Sequence, residues 1–334
     1  MGGDGALAWR PIEPGDAADW AGLLNAISAA DGNWEYVSEQ DLLEDFSDPN
    51  LDFARGSVAV YDQGTMAGCG LLECRTSVEP VHEMRYHGGV HPAYRRQGLG
   101  GRLLDWAETA ALPLHQERYP GRPLSLSGSC VAHNAAAVAL YAAHGYRPSR
   151  WFHAMTRDLS EALPEAPVPA GVTVVRLTPD RWEDARLVRN DAFRDHWGST
   201  EDPADAWAHS MEISAARPEL SFLAYSGSEP LGLVISHEYE AYNEAFGRRD
   251  LYIALVGTRR AGRDRGIASA LLRRALTGAR AAGFASASLG VDADSPTGAL
   301  GLYQRAGFTM MLTSVTNTKP LLAVEPGGTP PAGH

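Results

Sequence analysis

The chain has 334 residues, of which 44% are hydrophobic and 21% are charged, and its formal net charge is −12. This length fits two ordinary domains, each able to bury its own core. The acidic balance disfavours a nucleic-acid partner and mildly favours a cationic substrate, and no apolar run is long enough to span a membrane.

In chain order, alternating and helical periodicities predict mixed strands and helices in the first 160 residues. The predicted strands cover residues 7–12, 56–62, 66–76, 82–91, 123–130 and 147–158. The predicted helices cover residues 16–29, 38–47, 99–112 and 134–144. This order indicates an α/β (α+β) domain with one central, mostly antiparallel sheet flanked by helices.

Three landmarks of this order return later in the chain. Residues 9–27, 95–104 and 134–146 resemble residues 175–193, 263–272 and 295–308. One fold is therefore used twice. We expect an N-terminal domain over 1–160, a Pro- and Ala-rich linker over 161–171, a C-terminal domain over 172–325 and a disordered tail over 326–334.

The N-terminus lacks the basic start and apolar stretch of a signal peptide. The cysteines, Cys69, Cys74 and Cys130, have neither disulfide nor metal-ligand spacing. We therefore expect a cytoplasmic protein without a metal site and without a membrane partner. The sequence leaves open whether the chain forms a homodimer.

The stretch RRQGLGGRLL (95–104) combines flexible backbone with positive charge at the start of a helix. Gly98 and Gly100 allow close approach of a ligand, and the first helical N–H groups favour an anion. Arg95, Arg96 and Arg102 add charge for phosphates. The loop therefore predicts a pyrophosphate site, although neither the Rossmann nor the P-loop pattern is met.

A third nucleotide pattern, R/Q-x-x-G-x-G/A, is met by Arg95–Gly98–Gly100 and again by Arg263–Gly266–Ala268. It resembles the coenzyme A pyrophosphate loop of the GNAT acyltransferase superfamily. The resemblance to tandem GNAT proteins covers about 7–158 and 172–318. Residues 192–207 are similar to mycothiol synthase-like proteins of actinobacteria, and tandem GNAT proteins of the clavulanic-acid-cluster type are further candidates for relatives.

The resemblance implies a sheet that splays between its fourth and fifth strands, with the pantetheine arm of acetyl-CoA, or of another acyl-CoA, in the gap. A backbone N–H near Gly89 or Val90 would hold the thioester oxygen. Gly88, Gly89 and Gly257 fit a bulge that frees such groups. The acyl-CoA contacts implied in both copies are Gly89, Val90, Arg95, Arg96, Gln97, Gly98, Leu99, Gly100, Gly101, Asn134, Tyr141, Arg263, Asp264, Arg265, Gly266, Ile267, Ala268, Ser295 and Tyr303.

Two tyrosines match the family residue that protonates the CoA sulfur, Tyr141 and Tyr303, each in L-Y-x-x-x-G-[FY]. Either could also be an ordinary core residue. Asn134 matches the asparagine that contacts the CoA arm, and it is also a good N-cap. Its counterpart, Ser295, precedes a proline and is predicted to cap its helix.

Glu83, on the fourth strand, is the candidate general base, with Asp250 as its rough counterpart in the second copy. His82, His87 and His237 are alternatives because an imidazole titrates near neutral pH, and either carboxylate could simply face solvent. Aromatic and acidic segments are candidates for the walls of the acceptor pockets, namely Trp34, Glu35, Tyr36, His196, Trp197 and residues 237–246.

These features predict an N-acetyltransferase that moves an acetyl group from acetyl-CoA to the primary amine of a small molecule. Both halves are expected to bind a CoA thioester, the first more securely because it keeps the fuller motif set. The sequence leaves open which half carries out the transfer, and the resemblance to mycothiol synthase-like proteins implies the second. Two alternatives remain open at this point, an acyl-CoA-binding or sensing protein without turnover and a protein N-acetyltransferase.

Overall fold

The computed structural model describes residues 7–74, 81–194, 201–295 and 298–323. The predicted tail over 326–334, together with His196 and Trp197, lies outside the described residues. The described strands form one twelve-stranded sheet that runs through both halves. The predicted mixed fold is therefore confirmed, but the two copies share a single sheet.

The first half contains six strands and five helices among its described residues. Its strands are β1 (Ala8–Arg10), β2 (Ser57–Asp62), β3 (Thr65–Glu73), β4 (His82–Val90), β5 (Leu124–Val131) and β6 (Arg147–Asp158). Its helices are α1 (Ala17–Asp31), α2 (Glu39–Asp45), α3 (Phe53–Gly56), α4 (Leu99–Arg118) and α5 (Ala135–Ala143).

The described part of the second half repeats this order with two differences: two helices instead of three lie between its first and second strands, and a helix, α8, lies between its third and fourth strands. Its strands are β7 (Thr173–Arg176), β8 (Phe222–Ser226), β9 (Glu229–His237), β10 (Asp250–Thr258), β11 (Ser286–Asp292) and β12 (Thr309–Leu322). Its helices are α6 (Trp182–Ala192), α7 (Ala204–Glu212), α8 (Glu240–Phe246), α9 (Ile267–Ala281) and α10 (Ala299–Arg305).

Helix α4 continues six residues past its predicted end and contains Pro113. A proline inside a helix removes one backbone donor and usually ends or kinks it. Leu114 and His115, which follow the proline, are both buried. We attribute the continuation to this burial, which keeps the last turns of the helix docked on the sheet.

The two halves exchange their last strands. The sheet order is β1-β2-β3-β4-β5-β12-β6-β11-β10-β9-β8-β7. Strand β12 of the second half is antiparallel to β5 of the first, and β6 of the first half is antiparallel to β11 of the second. Since β6 and β12 also pair with each other, the backbone ladder fixes the two halves in register.

Each half splays where the resemblance predicts it. Strands β4 and β5 are parallel and pair only over residues 82–86 and 124–128. Strands β10 and β11 are also parallel and pair only over 250–252 and 286–288. The remainder of each fourth strand pairs with the third strand alone, so a gap opens on its other side.

Helices cover both faces of the sheet in each half. In the first half α4 packs on one face with Leu103 and Leu126, and α1 packs on the other with Trp20 and Leu71. In the second half α9 and α6 occupy the corresponding faces. This layered packing leaves the parted strands as the place where a ligand can pass between them.

Candidate active site

The gap between β4 and β5 opens into a cavity of about 1130 Å³. Its first-half walls come from α1, residues 33–37, β4, the loop 95–101, β5 and α5. Strands β6 and β12 continue the wall, and the second half adds Arg189, Phe193, Tyr252, Gly290 and Asp292. One space therefore joins the first cleft to the neighbouring face of the second half.

The loop at the mouth of this cavity has the backbone of an anion site. Arg96 has a φ of 65° and Gly98 a φ of 80°, both in the left-handed region. The first intrahelical bond of α4 runs from the Arg102 N–H to the Gly98 carbonyl at 3.2 Å. The preceding N–H groups of Leu99, Gly100 and Gly101 have no partner within the helix and face the start of the loop.

The second loop reproduces this backbone. Asp264 has a φ of 60° and Gly266 a φ of 80°, and the Ala270 N–H donates to the Gly266 carbonyl at 3.0 Å. The charge differs because Asp264 stands where the first loop has Arg96. A diphosphate would meet the same ring of N–H groups in both halves but a less positive surface in the second.

The first arginine of each loop braces the loop itself. Arg95 pairs with Asp31 at 2.6 Å and donates to the Val90 carbonyl at 3.2 Å. Arg263 donates to the Thr258 carbonyl at 3.4 Å and to the Ala192 carbonyl at 3.1 Å. Both arginines thus tie the loop to the end of the fourth strand and to the helix beside it.

Arg102 has a different role from the one that its charge predicts. Its guanidinium lies 4.6 Å from the ring centroid of Trp9, in a cation–π contact away from the loop. Arg96 is exposed and lines the cavity. Three first-half arginines are predicted to pair with phosphates. The contacts described above engage Arg95 and Arg102, whereas Arg96 is directed to the cavity.

The end of β4 offers a backbone donor to the gap. The His82 N–H donates to the Pro123 carbonyl on the β5 side, and the His91 N–H donates to the Ala67 carbonyl on the β3 side. Because N–H groups alternate in direction along a strand, the Val90 N–H points towards β5 and the Gly89 N–H towards β3. Val90 is therefore the better placed of the two predicted donors.

The structure has no β-bulge at the glycines for which one was predicted, Gly88, Gly89 and Gly257. Strand β4 pairs with β3 without interruption through Gly88 and Gly89, and in β10 the register shifts at Ala254, before Gly257. Gly88 has another reason to be glycine. Its φ is 151°, and a Cβ there would lie 2.3 Å from the Cys69 carbonyl oxygen.

Tyr141, on α5, reaches the gap from the side of β5. It is 6% exposed and lines the cavity, and a Cβ at Gly128 would lie 2.4 Å from its hydroxyl oxygen. Gly128 thus leaves the space that the phenol occupies beside the strand. Burial raises the pKa of Tyr141, so the hydroxyl keeps its proton at neutral pH.

Tyr303, on α10, is the matching residue of the second half and is 7% exposed. Burial, and then the nearby Tyr252 hydroxyl, raise its pKa. Tyr252 lines the cavity. Tyr303 therefore lies close to Tyr252, behind the cavity wall that the second half contributes.

Glu83 and Asp250 occupy corresponding places at the start of β4 and β10. The Ser127 hydroxyl of β5 donates to the Glu83 carboxylate at 2.9 Å, and the hydroxyls of Ser286 and Ser288 of β11 donate to Asp250. Glu83 lines the cavity. Asp250 is 3% exposed, and burial raises its pKa, so only Glu83 combines this position with access to the cavity.

His82 belongs to a buried relay and not to the cavity. The His115 Nε2–H donates to the Arg122 carbonyl at 2.9 Å, so the His115 Nδ1 accepts from the His82 Nδ1–H at 2.8 Å. The His82 Nε2 is then left to accept from the Cys74 thiol at 3.6 Å. Burial lowers the pKa of His82 to about 4. A neutral, enclosed imidazole is a structural group, so the alternative of His82 as base is not supported.

The other two histidines also differ in their surroundings. His87 lines the cavity, and its Nε2–H donates to Glu73 at 3.1 Å. His237 is 8% exposed, and its Nδ1 lies 3.2 Å from the Tyr239 hydroxyl. Burial, and then Arg217, lower the pKa of His237 to about 4. Of the two, His87 has the access that a base requires.

Asn134 caps α5, since its side-chain oxygen accepts from the Ala137 N–H at 3.1 Å, and it also lines the cavity. Ser295 was predicted to cap the matching helix, and this is wrong. Helix α10 begins at Ala299 with Gly298 as its N-cap, at a φ of 67°. The glycine adopts a left-handed conformation that delays the helix by several residues.

The wall between the halves is aromatic. The Trp34 ring lies 5.6 Å from the ring of Tyr252, and the Tyr36 ring lies 5.8 Å from that of Phe246 on α8. Trp34 and Glu35 line the cavity. The wall residues predicted for the first half therefore contact the segment predicted for the second half, residues 237–246. From the sequence these two groups were expected to form separate acceptor pockets.

No helix in the described ranges is both long and apolar enough to cross a membrane. The same residues contain no group of three or more histidine, cysteine or acidic side chains that could hold a metal ion.

Comparison with protein families matches both halves. A GNAT acetyltransferase domain model matches residues 54–148, and a GNAT acetyltransferase family model matches residues 182–308. The chain is a tandem GNAT acetyltransferase. As a member of this family it is an N-acetyltransferase that uses acetyl-CoA, and the paired N–H loops and the parted strands fit that donor.

The curated relatives are similar over nearly the full chain. A mycothiol acetyltransferase of Salinispora arenicola is 30% identical over 305 residues, which cover 89% of this chain and 91% of the relative. A mycothiol acetyltransferase of Paenarthrobacter aurescens is 32% identical over 308 residues, 88% and 89% of the two chains. The similarity therefore includes both GNAT domains.

Solved structures show the same architecture. A GCN5-related N-acetyltransferase from Sphaerobacter thermophilus superposes with a TM-score of 0.75 at 27% identity, over 95% of this chain and 96% of that one. The tandem GNAT protein from the clavulanic acid biosynthesis pathway superposes with a TM-score of 0.70 at 16% identity, over 96% and 100% of the two chains. The second likeness shows the fold alone.

Proposed function

We propose that this tandem GNAT acetyltransferase acetylates the primary amine of a small molecule and that the cleft of the first half is the working site. The observation that carries the proposal is the cavity of about 1130 Å³. It brings the loop 95–101, Val90, Glu83 and Tyr141 to one space. Acetyl-CoA supplies the acetyl group as a reactive thioester.

The residues that would hold the donor are those of the loop and the gap. The N–H groups of Leu99, Gly100 and Gly101 and the guanidinium of Arg96 would bind the diphosphate. The Val90 N–H would donate to the carbonyl oxygen of the thioester and stabilise the negative charge that develops there. The second loop would bind a donor more weakly because Asp264 replaces Arg96.

Glu83 would act as the general base. An amine attacks a carbonyl carbon only when it is neutral, so a carboxylate must remove one of its protons. Glu83 lies seven residues before Val90 on the extended β4, roughly 20 Å away, so it would take this proton through a chain of water molecules in the cavity. Ser127 holds the Glu83 carboxylate at 2.9 Å and so orients it towards the cavity. The counterpart Asp250 is buried, which leaves it unable to meet an amine in the cavity.

Tyr141 would act as the general acid. When the new C–N bond has formed and the C–S bond breaks, the sulfur leaves as a thiolate that needs a proton. Burial keeps the Tyr141 hydroxyl protonated, and Gly128 gives it room beside the gap. We propose the same chemical capacity for Tyr303 in the second cleft, without a matching accessible base there.

The walls of the cavity favour a small acceptor over a protein. Trp34, Glu35 and Tyr252 together form one side of the space that an acceptor would enter, and the rings of Trp34 and Tyr252 contact each other there. The relatives named mycothiol acetyltransferase also support a small-molecule acceptor. We therefore place this chain among small-molecule N-acetyltransferases.

The test is a thiol-release screen of the purified chain with acetyl-CoA against a library of primary amines and a set of peptides. We expect release with at least one small amine, and we expect Glu83→Gln to lower kcat about 100-fold, in the usual range for the loss of a general base. Asp250→Asn is the matched variant of the second half and should leave turnover within about twofold of the parent. Release with peptides alone, or equal losses from both variants, would contradict the proposal.

A further inference from the structure

The cavity has a second functional wall, away from the groups that handle the acetyl transfer. Glu83 is held on β4 by Ser127 of β5, whereas Trp34 packs against Tyr252 of β10. Three strands, β12, β6 and β11, separate β5 from β10 in the sheet. An acceptor that reaches both walls therefore meets two different sets of side chains.

Two aromatic rings, Trp34 and Tyr252, lie on this second wall, and two more, Tyr239 and His237, pack against Tyr252. Tyr252 lies 5.6 Å from Trp34 and 5.8 Å from Tyr239, centroid to centroid. The ring of His237 lies 5.9 Å from that of Tyr239. The four rings belong to both halves. Aromatic faces carry partial negative charge and attract cations, most of all when several rings surround one position.

A carboxylate accompanies the rings. Glu35 follows Trp34 directly and lines the same cavity. Its charge contributes to the rise in the pKa of Tyr252 to about 12, after burial. Burial, then the Tyr252 hydroxyl, and then Asp41, Asp45 and Glu35 raise the pKa of Tyr239. The charge of Glu35 thus acts on both tyrosines.

Two arginines near this wall pair with carboxylates. Arg189 pairs with Asp202 at 2.9 Å, and Arg150 pairs with Asp292 at 2.7 Å. Among the described residues, Glu35 has no hydrogen-bond or ion-pair partner. A carboxylate in this position beside two aromatic faces has the composition of a site for an ammonium group.

We propose that Trp34, Glu35 and Tyr252 bind a positively charged group of the acceptor that is distinct from the reacting amine. The acceptor class is then a diamine, or an amine that carries a second cationic group. Glu35 supplies the opposite charge, and the rings of Trp34 and Tyr252 cover the cation. The site rests on the proposed function, because it positions the acceptor of that reaction, and it requires both halves of the chain.

The exchange of strands makes such a shared site workable. Trp34 and Tyr252 belong to different halves, and β6 and β12 hold these halves in register through backbone hydrogen bonds. The contact between the rings of Trp34 and Tyr252 also joins the segment that follows α1 to strand β10. Tyr252 of the subsite thus stands on the continuous sheet, and Trp34 and Glu35 lie in the segment between α1 and α2, which contacts the sheet through the ring of Trp34.

The experiment compares the linear diamines of six to fourteen carbons with the monoamines of equal length, because the four strand spacings between β5 and β10 amount to roughly 19 Å. We would measure kcat/KM for acetylation and, separately, binding by calorimetry without acetyl-CoA. The variants are Glu35→Gln and Trp34→Leu, with Glu219→Gln as the matched control. Glu219 is exposed and lies outside the cavity, so its variant removes the same charge elsewhere.

We expect the parent to bind the best diamine about tenfold more tightly than its monoamine, the effect of one carboxylate-assisted cation–π site. Glu35→Gln and Trp34→Leu should abolish this preference, and Glu219→Gln should keep it. Acetylation with no diamine preference, or a preference that survives Glu35→Gln, would overturn the subsite and leave the proposed function intact. Diamine binding that depends on Glu35, without any acetylation, would support the subsite and contradict the proposed function.

Discussion

The two halves of this chain share a backbone and differ in chemistry. Both loops place a left-handed residue two positions before a left-handed glycine, and both fourth strands begin with a carboxylate held by serine. The first loop exposes Arg96 where the second exposes Asp264, and Glu83 lines the cavity where Asp250 is buried. The backbone geometry of the two copies is thus alike, while the side chains that we propose to contact substrate differ.

The two loops are alike in the residues that fix their backbone conformation. Gly98 and Gly266 have the same φ of 80°, which a residue with a Cβ adopts only with strain. Arg95 and Arg263 make the same bond to the end of the fourth strand. The residues that shape the loop backbone are alike in the two halves, while the side chains that we propose to face the diphosphate, Arg96 and Asp264, differ.

The largest effect expected from this comparison concerns the two tyrosines. Tyr141→Phe removes the proton that we assign to the leaving sulfur, so kcat should fall about 100-fold or more while the Kd for acetyl-CoA stays within about twofold. Tyr303→Phe should change kcat less than about threefold. Steady-state rates and calorimetry would check this, and equal losses from the two variants would break the distinction between the halves.

A second prediction concerns pH, and here the halves should behave alike. Burial lowers the pKa of both His82 and His237 to about 4, below the value of 6.5 of an exposed histidine. The unfolded chain then binds these protons more readily, so the stability from each site is complete above pH 6.5 and is lost as pH falls towards 4.

The expected loss is roughly 3 kcal/mol per histidine between these limits. Urea unfolding at pH 7.5, 6 and 5 would measure it. His82→Gln and His237→Gln should each flatten the dependence on pH, although each also lowers stability at pH 7.5 by removing a buried group. A free energy of unfolding that is constant from pH 7.5 to 4.5 in the parent would contradict the assignment.

Much of the fold follows from the sequence because it depends on local patterns. The strand predicted over 147–158 has those limits in the structure, α5 is one residue shorter than predicted at each end, and β4 is one residue shorter at its C-terminal end. The exchange of β6 and β12 could not be predicted, since both strands would satisfy their alternation next to either half. Pairing partners are set by long-range packing, which the pattern of one strand does not contain.

The candidate site shows the same division. The loop and the splay follow from glycine spacing and the family resemblance. The pairing of Arg95 with Asp31 and the contact of Arg102 with Trp9 do not, because a charge in the sequence does not reveal its partner. The capping error at Ser295 arose because Gly298, three residues later, takes the N-cap position.

A third prediction compares the two loop glycines. No other atom lies within 4 Å of a Cβ built on Gly98 or Gly266, so Gly98→Ala and Gly266→Ala should each cost only the strain of a positive φ, about 1–2 kcal/mol. Thermal unfolding should show similar losses for the two variants. Only Gly98→Ala should also raise the KM for acetyl-CoA. A rise in this KM with Gly266→Ala and not with Gly98→Ala would contradict the assignment of the reaction to the first half.

The smallest predicted effect concerns loop charge. Arg96→Gln removes a charged hydrogen-bond donor from the first loop, and we expect the Kd for coenzyme A to rise about tenfold. Asp264→Asn should have the reverse effect in the second half and tighten any binding there. Calorimetric titrations at low and moderate salt would measure both changes. If neither variant changes the Kd for coenzyme A, these side chains do not act on the phosphates.

A crystal structure of the chain with acetyl-CoA tests the account most directly. We predict the diphosphate on the N–H groups that follow Gly98, the pantetheine arm between β4 and β5, and the sulfur within hydrogen-bond distance of the Tyr141 hydroxyl. Acetyl-CoA bound only at the loop of Gly266, with its sulfur beside Tyr303, would contradict the assignment of the reaction to the first half.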